Sequence, residues 1–122
     1  MTIQGMPSVL IVDDHSAFRA SARRLLEEDG FEVIGEADDG ASGIKLAREL
    51  EPDLVLLDVV LPDTTGFDVA EELRGVRADV VLVSSRGSAD LAPRLRDTPA
   101  LGFIPKDELT SEAVRALLDR AA

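Results

Sequence analysis

Three aspartates in this sequence sit where apolar runs stop. Asp58 closes Leu54-Val55-Leu56-Leu57, and Asp13 and Asp14 close Val9-Leu10-Ile11-Val12. A continuous apolar run of this kind reads as a parallel strand buried on both faces. In an open α/β sheet, ligands bind in the crevice outside the carboxyl ends of the strands. If the two strands are neighbours, three carboxylates converge on one spot, and their repulsion has to be relieved by a cation or a shifted pKa. An aspartate so placed can attack phosphorus and form an acyl phosphate. In that reaction the protein mainly positions the reactants and neutralises charge on the transferred oxygens. With no cysteine and the single histidine His15, a zinc site is not expected, and any metal would be a hard cation on oxygen ligands. His15 itself is expected to be a loop residue beside the site, without direct chemistry.

Each residue also has a plain structural reading. Asp13 and Asp14 could start a loop and cap a helix. Asp58 could be a strand-end turn residue, and Ser84 could bond nearby backbone. It is the three acids together with Lys106 that point to a site.

The elements that would position them alternate. Ser8–Asp13 reads as a strand. From Ser16 to Asp29 the residues Phe18, Ala22, Leu25 and Leu26 recur at helical spacing, with Arg19, Arg23 and Glu27 on the other side. Arg19, Arg23 and Arg24 are expected on a solvated helix face. Gly30 stops that helix, and Phe31–Ala37 is a second strand. Gly40–Leu50 is a helix ended by Pro52, and Asp53–Asp58 is the third strand. The turn-rich Pro62–Gly66 leads into a helix over Gly66–Gly75. Asp79–Ser84 is a β-branched strand. A helix over Ser88–Asp97 is interrupted by Pro93, which inside a helix costs about 3 kcal/mol. Ala100–Ile104 is a short strand, and Thr110 caps a last helix running to Ala121. Five βα units with short right-handed crossovers give an α/β fold, a doubly wound five-stranded parallel sheet.

The bulk numbers narrow the function. The chain has 122 residues, 45% of them hydrophobic and 30% charged, with a formal net charge of -11. That length suits a single domain over 1–122, with 1–7 as a flexible N-terminal extension. Acidity on this scale disfavours direct binding of nucleic acid, because phosphate contacts need Lys and Arg. No apolar stretch is long enough for membrane insertion, and no signal peptide is evident, so a cytoplasmic location is expected.

Four stretches, VLIVDDH, LVLLDVVLPDTTG, VVLVSS and GFIPKD, each mark the end of a different strand. With them the chain resembles, end to end, the receiver domain of a two-component response regulator. Asp58 is followed by Pro62 and Gly66 at the family's spacing, and Phe103 lies three residues before Lys106. The resemblance implies a flavodoxin-like strand order 2-1-3-4-5. It implies a phosphoryl group accepted on Asp58 from a sensor histidine kinase or phosphotransfer protein. Mg2+ (or Mn2+) would sit on Asp14, Asp58 and the Val60 backbone carbonyl, with Asp13 acting largely through water. Lys106 and Ser84 would meet phosphoryl oxygens, helped by the Ser85 N–H, and Phe103 would act as a switch coupled to Ser84. The kinase would meet the first helix. The chain would then be a phosphorylated signalling domain and not an enzyme with a turnover substrate. Its downstream protein partner is unknown, and a homodimer through the fourth and fifth βα units is open.

Several residues depart from the pattern. Asp107 follows Lys106 where many receivers have proline, so a cis bond is not assumed. The pairing of Lys106-Asp107 with Asp13-Asp14-His15 is closest to receivers of helix-turn-helix transcription factors, yet no output domain is seen. Val60 and Arg86 flank the path of an attacking water in the family, and the branched Val60 side chain is expected to prolong the phosphoryl lifetime. Two other classes stay open. One is an interaction module independent of phosphorylation. The other is an aspartyl-phosphate phosphohydrolase, which the absence of a second acid just after Asp58 and of a cap domain disfavours.

Overall fold

The computed structural model describes residues 6–85 and 88–121, with the side chains of 88–90 and 121 excepted. Residues 1–5 of the expected N-terminal extension, and Arg86, lie outside the described residues. Five strands, β1 (Ser8–Val12), β2 (Glu32–Ala37), β3 (Leu54–Asp58), β4 (Asp79–Ser84) and β5 (Gly102–Pro105), alternate with five helices. These are α1 (Ser16–Glu28), α2 (Gly40–Leu50), α3 (Gly66–Glu72), α4 (Ser88–Leu95) and α5 (Ser111–Ala121). All strand pairings are parallel, in the order β2-β1-β3-β4-β5. The doubly wound sheet expected from the sequence is therefore present.

Alternation along the strands builds a core on each face of the sheet. Leu10, Val12, Val55, Leu57 and Leu82 pack with Ala47, Phe67, Val69 and Leu91 of α2, α3 and α4. Val9, Ile11, Leu54, Leu56, Val81 and Val83 pack with Ala22, Leu26 and Val114 of α1 and α5. The central strands are buried on both sides, which is why they read as unbroken apolar runs.

Local chemistry sets the helix ends. Asp39 accepts the Ser42 N–H at 2.8 Å to start α2, and Glu51 ends it in a left-handed conformation, φ 48°. Thr65 accepts the Asp68 N–H at 3.1 Å, and Thr110 accepts the Ala113 N–H at 3.0 Å. Such caps satisfy donors that the first helical turn leaves open.

Three elements differ from the sequence reading by two residues or more. α3 stops at Glu72: the Leu73 N–H is shared between the Val69 and Ala70 carbonyls, at 3.0 and 3.2 Å, and the Arg74 N–H turns to the Glu71 carbonyl. β5 begins two residues late and runs to Pro105, its register set by β4. α4 runs through the exposed Pro93 and ends two residues after it. Buried Leu91 anchors that helix, and Arg94 stacks on the Phe67 ring at 4.6 Å while lying 3.6 Å from Asp68. Described peptide bonds are all trans, Lys106–Asp107 included.

Register brings the strand ends level. Val12 pairs with Ala37 and Leu57, Asp58 with Val83, and Ser84 with Pro105. Asp13, Asp58, Ser84 and Lys106 thus leave the sheet at one edge.

Candidate functional site

β1 and β3 are neighbours, so the acids that follow them meet. Asp13 is fully buried and Asp58 nearly so, while the Asp14 side chain is 38% exposed. Lys106, arriving from β5, reaches over both buried carboxylates. Its Nζ lies 2.7 Å from Asp13 Oδ2 and 3.3 Å from Asp58 Oδ2. The ammonium also rests on the Phe18 ring, 4.4 Å from its centroid, so α1 helps hold it in place.

Burial, and then the neighbouring Asp13 charge, push the Asp58 carboxyl above its ordinary pKa. Lys106 and the Val60 N–H, which donates to Asp58 Oδ1 at 3.2 Å, pull the other way without cancelling the rise. Asp13 Oδ2 is buried and, among the described residues, accepts no aligned hydrogen bond; its contact with Lys106 is an off-line ion pair. A buried carboxylate oxygen in that state, next to a second buried carboxylate, is a donor set that a hard divalent cation fits. Asp13, Asp14, His15 and Asp58 each offer one ligand atom, all within 4.8 Å of one another, and together they could hold a metal ion.

The loop after β3 is held at both ends. Val59 donates to the Val83 carbonyl at 2.9 Å, and Gly66 donates to the Val59 carbonyl at 2.7 Å. A Cβ on Gly66 would run into the Asp58 carbonyl, which is why glycine stands there. Farther out, the Gly40 and Ala41 N–H groups donate to Asp63 at 2.8 and 3.0 Å. Those backbone donors, Gly40 first, hold the Asp63 carboxyl below its ordinary pKa. Val60, between the two fastenings, is exposed at the mouth of the site.

The remaining expected residues are placed as follows. Ser84 is buried at the end of β4, and Ser85 beside it is exposed. Phe103 is half-buried on β5, paired with Leu82 and packed on the α2–α4 side of the sheet.

Two features escaped the sequence reading. His15 is not merely beside the site. Its Nδ1 lies 3.1 Å from Asp13, 3.3 Å from Asp14 and 4.0 Å from Asp58. Nor is Arg19 only a solvated side chain. It donates to the Asp13 main-chain carbonyl at 2.6 Å and to Glu36 at 2.9 Å, and Arg23 meets Glu36 at 2.6 Å. Burial alone would raise the Glu36 pKa, but these guanidinium hydrogen bonds outweigh it and lower it. The sequence signal for His15 is its place directly after Asp13 and Asp14; the reach of Arg19 leaves no such signal.

The sequence profile of the response regulator receiver domain matches residues 9–118. The chain belongs to the response regulator receiver family. It is 41% identical over 114 residues to the nitrate/nitrite response regulator protein NarP of Escherichia coli, covering 88% of this receiver and 53% of NarP. It is 37% identical over 115 residues to the response regulator GacA of Pseudomonas viridiflava, covering 92% of this receiver and 54% of GacA. Among solved structures, the signal receiver domain of NarL from Mycobacterium tuberculosis superposes with a TM-score of 0.84 at 34% identity, covering 96% of this receiver and 97% of that chain. The receiver spans about half the length of the relatives it matches. Receivers of response regulators are signalling domains phosphorylated by histidine kinases. No helix among the described residues is long and apolar enough to cross a membrane.

Proposed function

We propose that this receiver is a phosphoacceptor switch working through Asp58. What carries the reading is a pair of buried carboxylates, Asp13 and Asp58, sharing the Lys106 ammonium at 2.7 and 3.3 Å at the carboxyl edge of the sheet. The donor is a phosphohistidine on a sensor histidine kinase or phosphotransfer protein. An Asp58 carboxylate oxygen forms the new O–P bond as the donor's N–P bond breaks, and the departing imidazole takes up a proton. Asp13, Asp14, Asp58 and the Val60 carbonyl would hold Mg2+ (or Mn2+), which when bound supplies positive charge to the phosphoryl oxygens.

The chain's own residues do the rest. The Val60 N–H orients Asp58 through Oδ1. Lys106, fixed between Phe18 and the two aspartates, supplies charge for one phosphoryl oxygen, and Ser84 supplies a hydroxyl for another. Drawing Ser84 and Lys106 toward the phosphoryl group frees space into which Phe103 moves. The surface of the β4–α4 and β5–α5 units then changes, which suits a protein partner or a second copy of the chain. The energy comes from contacts made only in the phosphorylated state.

Intact-mass measurement after incubation with acetyl phosphate tests the reading. Wild type gains one phosphoryl mass with Mg2+ and not with EDTA, and Asp58→Ala gains none. Equal behaviour of the two proteins overturns it.

A further inference from the structure

We propose that His15 turns the aspartate cluster into a binding site for borderline transition ions, Cu2+ foremost, which exclude the hard cation and block phosphoryl transfer. The blocking rests on the phosphoacceptor reading, whereas the binding does not.

The argument begins with how His15 is held. It directly precedes α1, its side chain makes no cap, and its N–H donates to Asp13 Oδ1 at 2.8 Å. With the backbone pinned there, the ring folds back over the acids. Nδ1 stands 3.1 Å from Asp13 Oδ1, 3.3 Å from Asp14 Oδ1 and 4.0 Å from Asp58 Oδ2. In an octahedron with metal–ligand bonds of about 2.1 Å, adjacent donors lie about 3.0 Å apart and opposite donors about 4.2 Å apart. The two short separations match neighbouring vertices, and the long one matches opposite vertices. One nitrogen and three oxygens, all within 4.8 Å of one another, need only small side-chain shifts to reach one ion.

Another observation points independently to a ligand. Asp13 Oδ2 is completely buried and accepts no aligned hydrogen bond among the described residues. Lys106 Nζ, 2.7 Å from that oxygen, is also 3.5 Å from His15 Nδ1. An ion entering between these groups displaces the ammonium that the phosphoryl oxygens would need.

The donor set decides which ion. Oxygen-only sites suit Mg2+ and Mn2+, whereas an imidazole suits copper, nickel and zinc, with Cu2+ at the top of the affinity order. His15 is the chain's sole histidine, and there is no cysteine. An imidazole signal from bound copper therefore identifies its own residue.

The experiment uses the whole chain with one equivalent of Cu2+. Pulsed EPR reports the remote nitrogen of a coordinated imidazole, and calorimetry gives Cu2+ and Mg2+ affinities for wild type, His15→Gln and Asp13→Asn. We expect an imidazole signal in wild type that persists when excess Mg2+ is added. His15→Gln should lose the signal and weaken Cu2+ by about tenfold or more, while Mg2+ weakens by less than about threefold. Asp13→Asn should also weaken Cu2+ and keep its fold by circular dichroism. No imidazole signal in wild type overturns the proposal, as does a signal unchanged in Asp13→Asn, which would mean a lone exposed histidine. In a separate arm, wild type is given acetyl phosphate with Mg2+, with and without prior Cu2+. Loss of phosphoryl mass only after Cu2+ supports the blocking. If Mg2+ alone gives no phosphoryl mass, the phosphoacceptor reading fails, and the copper result is judged by the first arm.

Discussion

Replacing Asp58 with asparagine removes one negative charge from the buried cluster and keeps an oxygen for the Val60 N–H. The donor oxygens of Asp13 and Asp58 lie within 4.8 Å; at an effective dielectric of about 20, their repulsion is at least about 3.5 kcal/mol. Lys106, 3.3 Å from Asp58, returns about 5 kcal/mol of attraction on the same scale. Charge against charge is then close to balanced. What tips it is the desolvation of a buried carboxylate, worth several kcal/mol, in line with the raised Asp58 pKa. The net expectation is that Asp58→Asn is more stable than wild type by about 2 kcal/mol at pH 7 in EDTA, or about 8 °C in Tm for a chain of this size.

The pH dependence follows from the sign of the shift. A carboxyl whose folded pKa lies above its unfolded value of about 3.9 destabilises the native state fully above the folded pKa, and the cost fades as pH falls below both. The advantage of Asp58→Asn should therefore shrink from pH 7 toward pH 4. Mg2+ should raise the Tm of wild type more than that of the variant. Urea melts at several pH values, with EDTA or Mg2+, measure all of this. A variant no more stable than wild type at pH 7 in EDTA would refute the idea that carboxylate crowding strains this fold.

Three further outcomes are expected. Gly66→Ala should cost about 1–3 kcal/mol in a urea melt, because its Cβ meets the Asp58 carbonyl and the loop backbone must shift; unchanged stability means that the loop yields freely. Glu36 has a lowered folded pKa, so its stabilising effect is present above the unfolded value of about 4.3 and lost as pH falls through the folded pKa. Glu36→Gln should thus be less stable than wild type at pH 6, with the deficit narrowing as pH falls below the unfolded value, and a deficit independent of pH would contradict the ion-pair account. Val60→Asn should shorten the phosphoryl half-life of the phosphorylated protein, read as loss of phosphoryl mass with time, since an exposed branched side chain stands at the mouth of the site; an equal half-life removes any role for it.

Much of this architecture could be read from residue order, for physical reasons. Strands buried on both faces must be apolar throughout, so β1, β3 and β4 announced themselves, and acids ending two of them marked the sheet edge. Gly30, Pro52 and Thr110 punctuated helices by backbone constraint or capping. What one dimension does not encode is where long side chains turn. Arg19 sits on the polar stripe of α1 yet reaches the Asp13 carbonyl. His15 folds back because its own N–H is pinned, a consequence of three-dimensional geometry. Pro93 looked like an interruption, but the buried Leu91 and the Arg94–Phe67 contact hold α4 across it.

The sharing of Lys106 has a consequence for how the chain assembles. Asp13 and Asp58 lie in the first half of the sequence, and their common cation arrives from β5, 93 and 48 positions later. A partly folded form with β1, β2 and β3 closed but β5 undocked would bring the two carboxylates together without the cation they share. Leaving buried charge unpaired costs about 3–5 kcal/mol. Docking of the last strand is therefore tied electrostatically to closure of the first three. The final third of the chain works as the counter-ion for the opening half, and that coupling penalises half-formed states in favour of the complete sheet.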